Sequence, residues 1–249
     1  MRKLVGLLFT LLIISSTSAF AGSKAAINEY IAIFKSGSYT EQQKACKRLQ
    51  WAGISDTRIF DLVEANLLAG YKSANSKAAI NEMAWLSKAL GFSGKEKYRA
   101  TIEAVAADSG HKKLRKHGKK SIQILNDYIK WQPIISSKKN YNKGKSAEIN
   151  RYANMLKSSE LGLNLYAAKR VYNRHIDDKY LLNILKKSTE NRLADGGSSK
   201  DYIQTTAYML KALAVTREAK YLAVVEDAAA NASNRKVRKY AVKYLKQYR

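Results

Sequence analysis

Apolar residues recur at spacings of three and four along almost the whole chain, and runs in which β-branched and polar residues alternate are few. In one such stretch Leu114, Ile122 and Leu125 share a side with the small residues Gly118 and Ser121. Spacing of this kind puts an apolar stripe on one helix after another. With breaks read at Gly, Ser and Asn clusters, it predicts an all-α chain of about twelve helices. Six fall at 24–35, 40–51, 56–70, 76–90, 95–107 and 112–130. Six more fall at 146–157, 160–174, 177–193, 200–216, 218–230 and 234–247. Between the two sets the segment 131–145, "WQPIISSKKNYNKGK", holds the single proline, Pro133. It is expected to be a basic linker or binding loop that divides an N-terminal half, 22–130, from a C-terminal half, 146–249.

The helices repeat. "EKYRATIEAVA", "DKYLLNILKK" and "AKYLAVVEDAA" place Lys97, Lys179 and Lys220 at separations of 82 and 41 residues, and "TRIFDLVEANL" is a looser copy upstream. "KKLRKHGKKSIQIL" from Lys112 aligns without a gap on "RKVRKYAVKYLKQY" from Arg235, 123 residues later, which is three times 41. The unit is a helical hairpin of about 41 residues, and the chain holds about six. One hairpin cannot cover its own apolar stripe, whereas stacked hairpins can, so the expected architecture is an α-solenoid.

The last second helix reads Val237-Arg238-x-x-Ala241-x-x-x-Leu245, with a partial counterpart in Leu114-Arg115-x-x-Gly118-x-x-x-Ile122. In this pattern the chain resembles HEAT repeats, particularly the short kind of phycobilisome-lyase-type proteins. The acidic residue usual before that helix is replaced here by His111 and Asn234. The resemblance implies a solenoid whose second helices line a binding groove, and it names no activity.

"SKAAINE" occurs at 23–29 and 76–82, with a looser "KSAEINR" at 145–151. The two exact copies lie 53 residues apart, outside the 41-residue period, so they occupy different slots of the repeat. A Ser N-cap followed by good helix formers is the chemistry of a helix start, and the motif is read as that.

The opening "MRKLVGLLFTLLIISSTSAFAGS" changes the picture of location. A basic start at Arg2 and Lys3, an apolar run and Ala19-Phe20-Ala21 predict a secretory signal peptide over 1–21, hence a periplasmic or secreted protein. With Cys46 as the only cysteine, no intramolecular disulfide can form, and Cys46 is expected to be a buried small residue.

Charge then points to a partner. The formal net charge is +25, or about +23 once Arg2 and Lys3 are removed. Lys112, Lys113, Lys116 and Lys120 align with Arg235, Lys236, Lys239 and Lys243, all opposite the apolar stripe. Single-sign faces forgo the stabilisation that mixed i, i+4 pairs provide, which makes these eight the anion-binding candidates. Lys138 and Lys139 in the 131–145 segment join them, with Trp131 and Tyr141 as partner-contact candidates. Arg115 and Arg238, at the edge of the stripe, are expected to tie repeats together.

No P-loop, GxSxG or HExxH motif occurs, and His111, His117 and His175 lack metal-ligand spacing, so no metal, cofactor or catalytic residue is expected. The leading expectation is a non-enzymatic binding module for an envelope polymer, acidic glycan, nucleic acid or acidic protein. A protein-interaction scaffold anchored by aromatics such as Trp85 is the alternative. An enzyme acting on an anionic polymer through a carboxylate such as Glu103 or Asp178 is a third.

Overall fold

The computed structural model describes residues 24–248. Within them the chain forms α1 (Lys24–Ser36), α2 (Tyr39–Ala52), α3 (Thr57–Gly70), α4 (Lys77–Phe92), α5 (Arg99–Asp108) and α6 (Lys112–Ile135). There follow α7 (Ala147–Lys157), α8 (Leu161–Asn173), α9 (Lys179–Asp195), α10 (Lys200–Ala214), α11 (Ala219–Asn231) and α12 (Arg235–Tyr248). A 3-10 turn, Glu96–Tyr98, precedes α5. The predicted signal peptide lies outside the described residues.

The helix starts are chemically marked. Ser38 and Glu41 form a reciprocal capping box on α2. In the "SKAAINE" family, Ser76 accepts from the Ala79 amide and Ser146 from the Ile149 amide, so these copies are N-caps; Ser23 lies outside the described residues. Where the resemblance leads one to expect an acid, His111 Nδ1 accepts from the Lys113 amide and Asn234 Oδ1 from the Lys236 amide. The cap survives the change of residue because it needs only an acceptor.

Consecutive helices pair, and the pairs stack in two layers. The odd helices form one layer, with α1 against α3, α7 against α9 and α9 against α11; the even helices form the other, α2–α4–α6 and α8–α10–α12. This is a HEAT-like α-solenoid of six helical hairpins among the described residues.

The 41-residue period has a physical meaning. Buried Tyr98 donates to Asp61 at 2.7 Å, and Lys97 pairs with the same carboxylate at 2.7 Å. One period-multiple later, buried Tyr221 donates to Asn183 at 3.0 Å and Lys220 reaches it at 3.4 Å. These two "KY" pairs therefore tie the start of one first helix to the preceding first helix, whereas Lys179 of the third pairs with Asp177 and with Glu218 at the start of α11. Arg115 and Arg238, expected to tie repeats together, instead close the turn within one hairpin: Arg115 donates to the Ser109 carbonyl at 2.7 Å, and Arg238 to those of Ala232 and Ser233.

The expected break at 131 is displaced. α6 runs through Trp131 and Pro133 to Ile135, and the connection spans only 136–146. Proline removes one backbone donor and is tolerated here in the last turn, where tertiary bonds hold the helix. Buried Gln132 donates to the carbonyls of Phe92 at 2.7 Å and Ile54 at 3.1 Å, and Tyr128 donates to Gln50 at 2.7 Å. α6 consequently bridges two apolar clusters: Leu125 belongs to that of α1–α6, whereas Tyr128 and Ile135 belong to that of the C-terminal helices. Cys46 is fully buried in the first cluster.

Candidate functional site

All eight aligned cations are exposed: Lys112, Lys113, Lys116 and Lys120 on α6, and Arg235, Lys236, Lys239 and Lys243 on α12. Among the described residues none of them meets a carboxylate within ion-pair distance. Their apolar neighbours Leu114, Val237 and Ala241 are fully buried, so helix packing fixes the direction in which the cations project.

The even layer carries more basic residues than the aligned eight. Lys88 of α4 lies 4.4 Å from the Trp85 ring, and Lys47 of α2 lies 5.1 Å from the same ring. Burial, and then the charge of Lys120 across the α4–α6 contact, push the Lys88 ammonium down from its ordinary range. His117 is likewise pushed down, first by burial and then by Lys88, Lys113, Lys120 and Lys116. It is half-buried rather than fully exposed.

The second half repeats the theme. Lys169 of α8 lies over Tyr208 of α10 at 4.8 Å, and Lys211 of α10 over Tyr172 of α8 at 4.1 Å. Between α10 and α12 a hollow of about 580 Å³ is lined by Tyr208, Lys211, Lys236, Tyr240 and Tyr244. Cations and aromatic faces thus alternate across the even layer. Lys47, Lys169 and Lys211 escaped sequence reasoning because each completes its pattern only with a ring on the neighbouring helix, whereas Lys88 lies one turn from Trp85 on α4 itself.

Several acidic groups are engaged in or next to the odd layer. Asp61 is held by Lys97 and Tyr98, which keep its carboxyl below the ordinary carboxylate range, and Glu64 accepts from Thr101. Glu218 pairs with Lys179. Asp178 caps α9 through the Leu181 amide and pairs with Lys145 at 2.8 Å, while Glu103 is exposed on α5.

The 136–146 connection is a tied loop. Buried Asn150 accepts from the Asn142 amide at 2.7 Å and donates to the carbonyls of Asn142, Lys145 and Ser146. Asn154 holds the Ser137 carbonyl at 2.8 Å. Lys138 and Lys139 are exposed, and Tyr141 is half-buried beside them at the rim of a hollow of about 750 Å³. Trp131 stands apart from this group on α6; its ring packs on Gly162 and its indole donates to Glu160 at 3.1 Å.

No protein-family profile matches the chain, and no curated protein matches it. Among solved structures, it is similar to that of human deoxyhypusine hydroxylase in complex with glycerol, at 13% identity and a TM-score of 0.34. The match covers 91% of this chain and 85% of the other. Among the described residues no three His, Cys, Asp or Glu side chains are grouped to hold a metal ion, and no helix is long and apolar enough to cross a membrane.

Proposed function

We propose that this protein is an exported, non-enzymatic α-solenoid that binds a linear anionic polymer along its even-helix layer. The observation that carries the reading is the set of eight exposed cations at equivalent positions of α6 and α12, none of them compensated by a carboxylate among the described residues. A fold that needed charge only for solubility has no reason to repeat it in register. Lysines clasping Trp85 and Tyr208 add flat surfaces against which sugar or base rings can stack. The basic, apolar and small-residue order of 1–21 supports export. The Val237-Arg238-x-x-Ala241 pattern supports kinship with the short HEAT repeats of phycobilisome-lyase-type proteins.

The test is charge reversal on each helix. Lys116→Glu with Lys120→Glu, and separately Lys239→Glu with Lys243→Glu, are expected to weaken binding of a fluorescent single-stranded oligonucleotide or sulfated glycan at least tenfold. Thermal stability should hold, because all four residues are exposed. Unchanged affinity in both variants overturns the proposed face.

A further inference from the structure

A second cationic feature lies between the two halves and is built from arginine. A cleft of about 520 Å³ opens between α1–α2 on one side and α7–α8 on the other. That volume falls in the range of about 300 to 1,000 Å³ typical of small-molecule sites, too small to enclose a polymer. Its walls bring together Arg48, Arg151, Arg170 and Arg174, with Lys47 at the edge and Glu29 and Glu148 as the only carboxylates lining it among the described residues. Trp51 of α2 and Tyr166 of α8 stack across it, ring centroids 3.6 Å apart.

The four guanidinium groups are not equivalent. Arg48 is paired with Glu29 at 2.9 Å, and Arg174 with Glu148 at 2.7 Å. Tyr152 also donates to Glu148, at 2.6 Å, so that carboxylate is already shared. Arg170 uses Nε to donate to the Tyr166 hydroxyl at 2.7 Å, lies 5.0 Å from the centroid of the same ring and makes no ion pair among the described residues, which leaves its two terminal nitrogens without a hydrogen bond there. Arg151 has neither a side-chain hydrogen bond nor an ion pair among the described residues, although burial pushes its guanidinium below the ordinary range. A desolvated guanidinium with no internal partner is costly to the fold and gains most from an external anion.

We propose that this cleft binds a small organophosphate, its phosphate monoester taken by the terminal nitrogens of Arg151 and Arg170 and its organic part lying against the Trp51–Tyr166 pair. The guanidinium fork matches phosphate geometry in a way that an ammonium does not. Two uncompensated arginines beside Lys47 call for more than one negative charge in a small volume. A phosphate monoester supplies about 1.5 to 2, with three acceptor oxygens, where a single carboxylate supplies one charge. The site is distinct from the aligned lysine face, because Arg151 and Arg170 lie on α7 and α8 rather than on α6 and α12, although Lys47 at its edge also contacts the Trp85 ring of the even layer.

Titration calorimetry on the purified protein at fixed ionic strength, with glucose 6-phosphate, glycerol 3-phosphate, inorganic phosphate, glucuronate and glucose, tests it. Saturable one-to-one binding of a phosphate ester is expected. It should weaken at least tenfold in Arg151→Gln and in Arg170→Gln, and persist in Lys239→Glu with Lys243→Glu. Arg151→Lys, which keeps charge but loses the fork, should fall between wild type and Arg151→Gln. Inorganic phosphate binding as tightly as the esters places recognition in the phosphate alone, and tighter esters show the aromatic pair contributing; both support the site. Absence of saturable binding by every phosphate probe, glucuronate binding as well as the esters, or unchanged affinity in a folded Arg151→Gln or Arg170→Gln overturns it. Loss of polymer binding in the lysine variants, with ester binding kept, separates this site from the face.

Discussion

At Gly118 α5 and α6 approach closely, and replacing it by alanine gives a signed, measurable consequence. A methyl group at this position of α6 would stand 2.6 Å from the amide nitrogen and 2.7 Å from the Cα of Ala106 on α5. Ordinary non-bonded contact is about 3.5 Å or more, so the methyl intrudes by roughly 0.8 Å on backbone atoms that cannot rotate aside. Either α5 and α6 part, or Leu114, Ser121 and Leu125, all fully buried beside Gly118, lose their contacts. Overpacking of this kind costs about 1 to 3 kcal/mol and occasionally more. Against it stands the helix-propensity gain of Ala over Gly, about 1 kcal/mol. Because the clash is with backbone atoms of another helix, the upper part of the overpacking range, about 2 to 3 kcal/mol, applies, and the expected net is a destabilisation of about 1 to 2 kcal/mol. For a chain of this size that lowers the thermal midpoint by about 2 to 8 °C, followed by circular dichroism at 222 nm. Lys119→Ala, on the exposed side of the same turn, is the control and should move it little. The aligned slot of α12 holds Ala241, fully buried, so Ala241→Gly should also destabilise, by about 1 kcal/mol or more. A Gly118→Ala protein as stable as wild type, or more so, would refute the close α5–α6 approach.

Two other predictions rest on single side chains. The Cys46 thiol is fully buried, and burial pushes its pKa up to about 12 from an ordinary value of 9.0. A raised folded pKa means its contribution to stability is intact below about pH 9 and is lost as pH climbs from there toward about 12. Native protein at pH 8 should therefore resist a maleimide or disulfide reagent and react on unfolding, and rapid native labelling would contradict the packing. Asn150→Ala removes the amide that holds the Asn142, Lys145 and Ser146 carbonyls, at a cost of about 2 to 3 kcal/mol. Limited trypsin digestion should then cut at Lys138, Lys139 or Lys143, sites that wild type protects; identical digestion patterns would mean the loop is held by other contacts.

The period and the two-layer stack were legible in the sequence because they rest on local patterns: Lys97-Tyr98 and Lys220-Tyr221 fall in matching slots and make matching bonds to Asp61 and Asn183. The end of α6 was not legible. Pro133 signals a break, yet Gln132 and Tyr128 are clamped by carbonyls more than thirty residues away, and those tertiary bonds outweigh the local signal. The aligned lysines were visible as charge in register; Arg115 and Arg238 were legible as structural, but their bonds close the turn of their own hairpin rather than join repeats. Lys88 stands three residues after Trp85 on α4, a spacing open to reading; Lys47 was not legible, since no spacing in one helix announces a ring on the next. The arginine cleft was invisible for the same reason on a larger scale: Trp51 and Tyr166 are 115 residues apart and belong to different halves of the repeat array.

The most direct test of the central claim is the salt dependence of polyanion binding, measured by fluorescence anisotropy of a labelled single-stranded oligonucleotide or sulfated glycan between about 50 and 300 mM NaCl. Each cation that displaces a condensed counterion from a single-stranded polyanion contributes about −0.7 to the slope of log K against log salt. Engagement of the eight aligned residues of α6 and α12 predicts a slope of about −5 to −6. Reversing Lys239 and Lys243 should make that slope shallower by about 1 to 2. A slope no steeper than about −1, or affinity that survives 300 mM salt undiminished, would contradict an electrostatic face and assign the even layer to a partner gripped through its aromatic side chains.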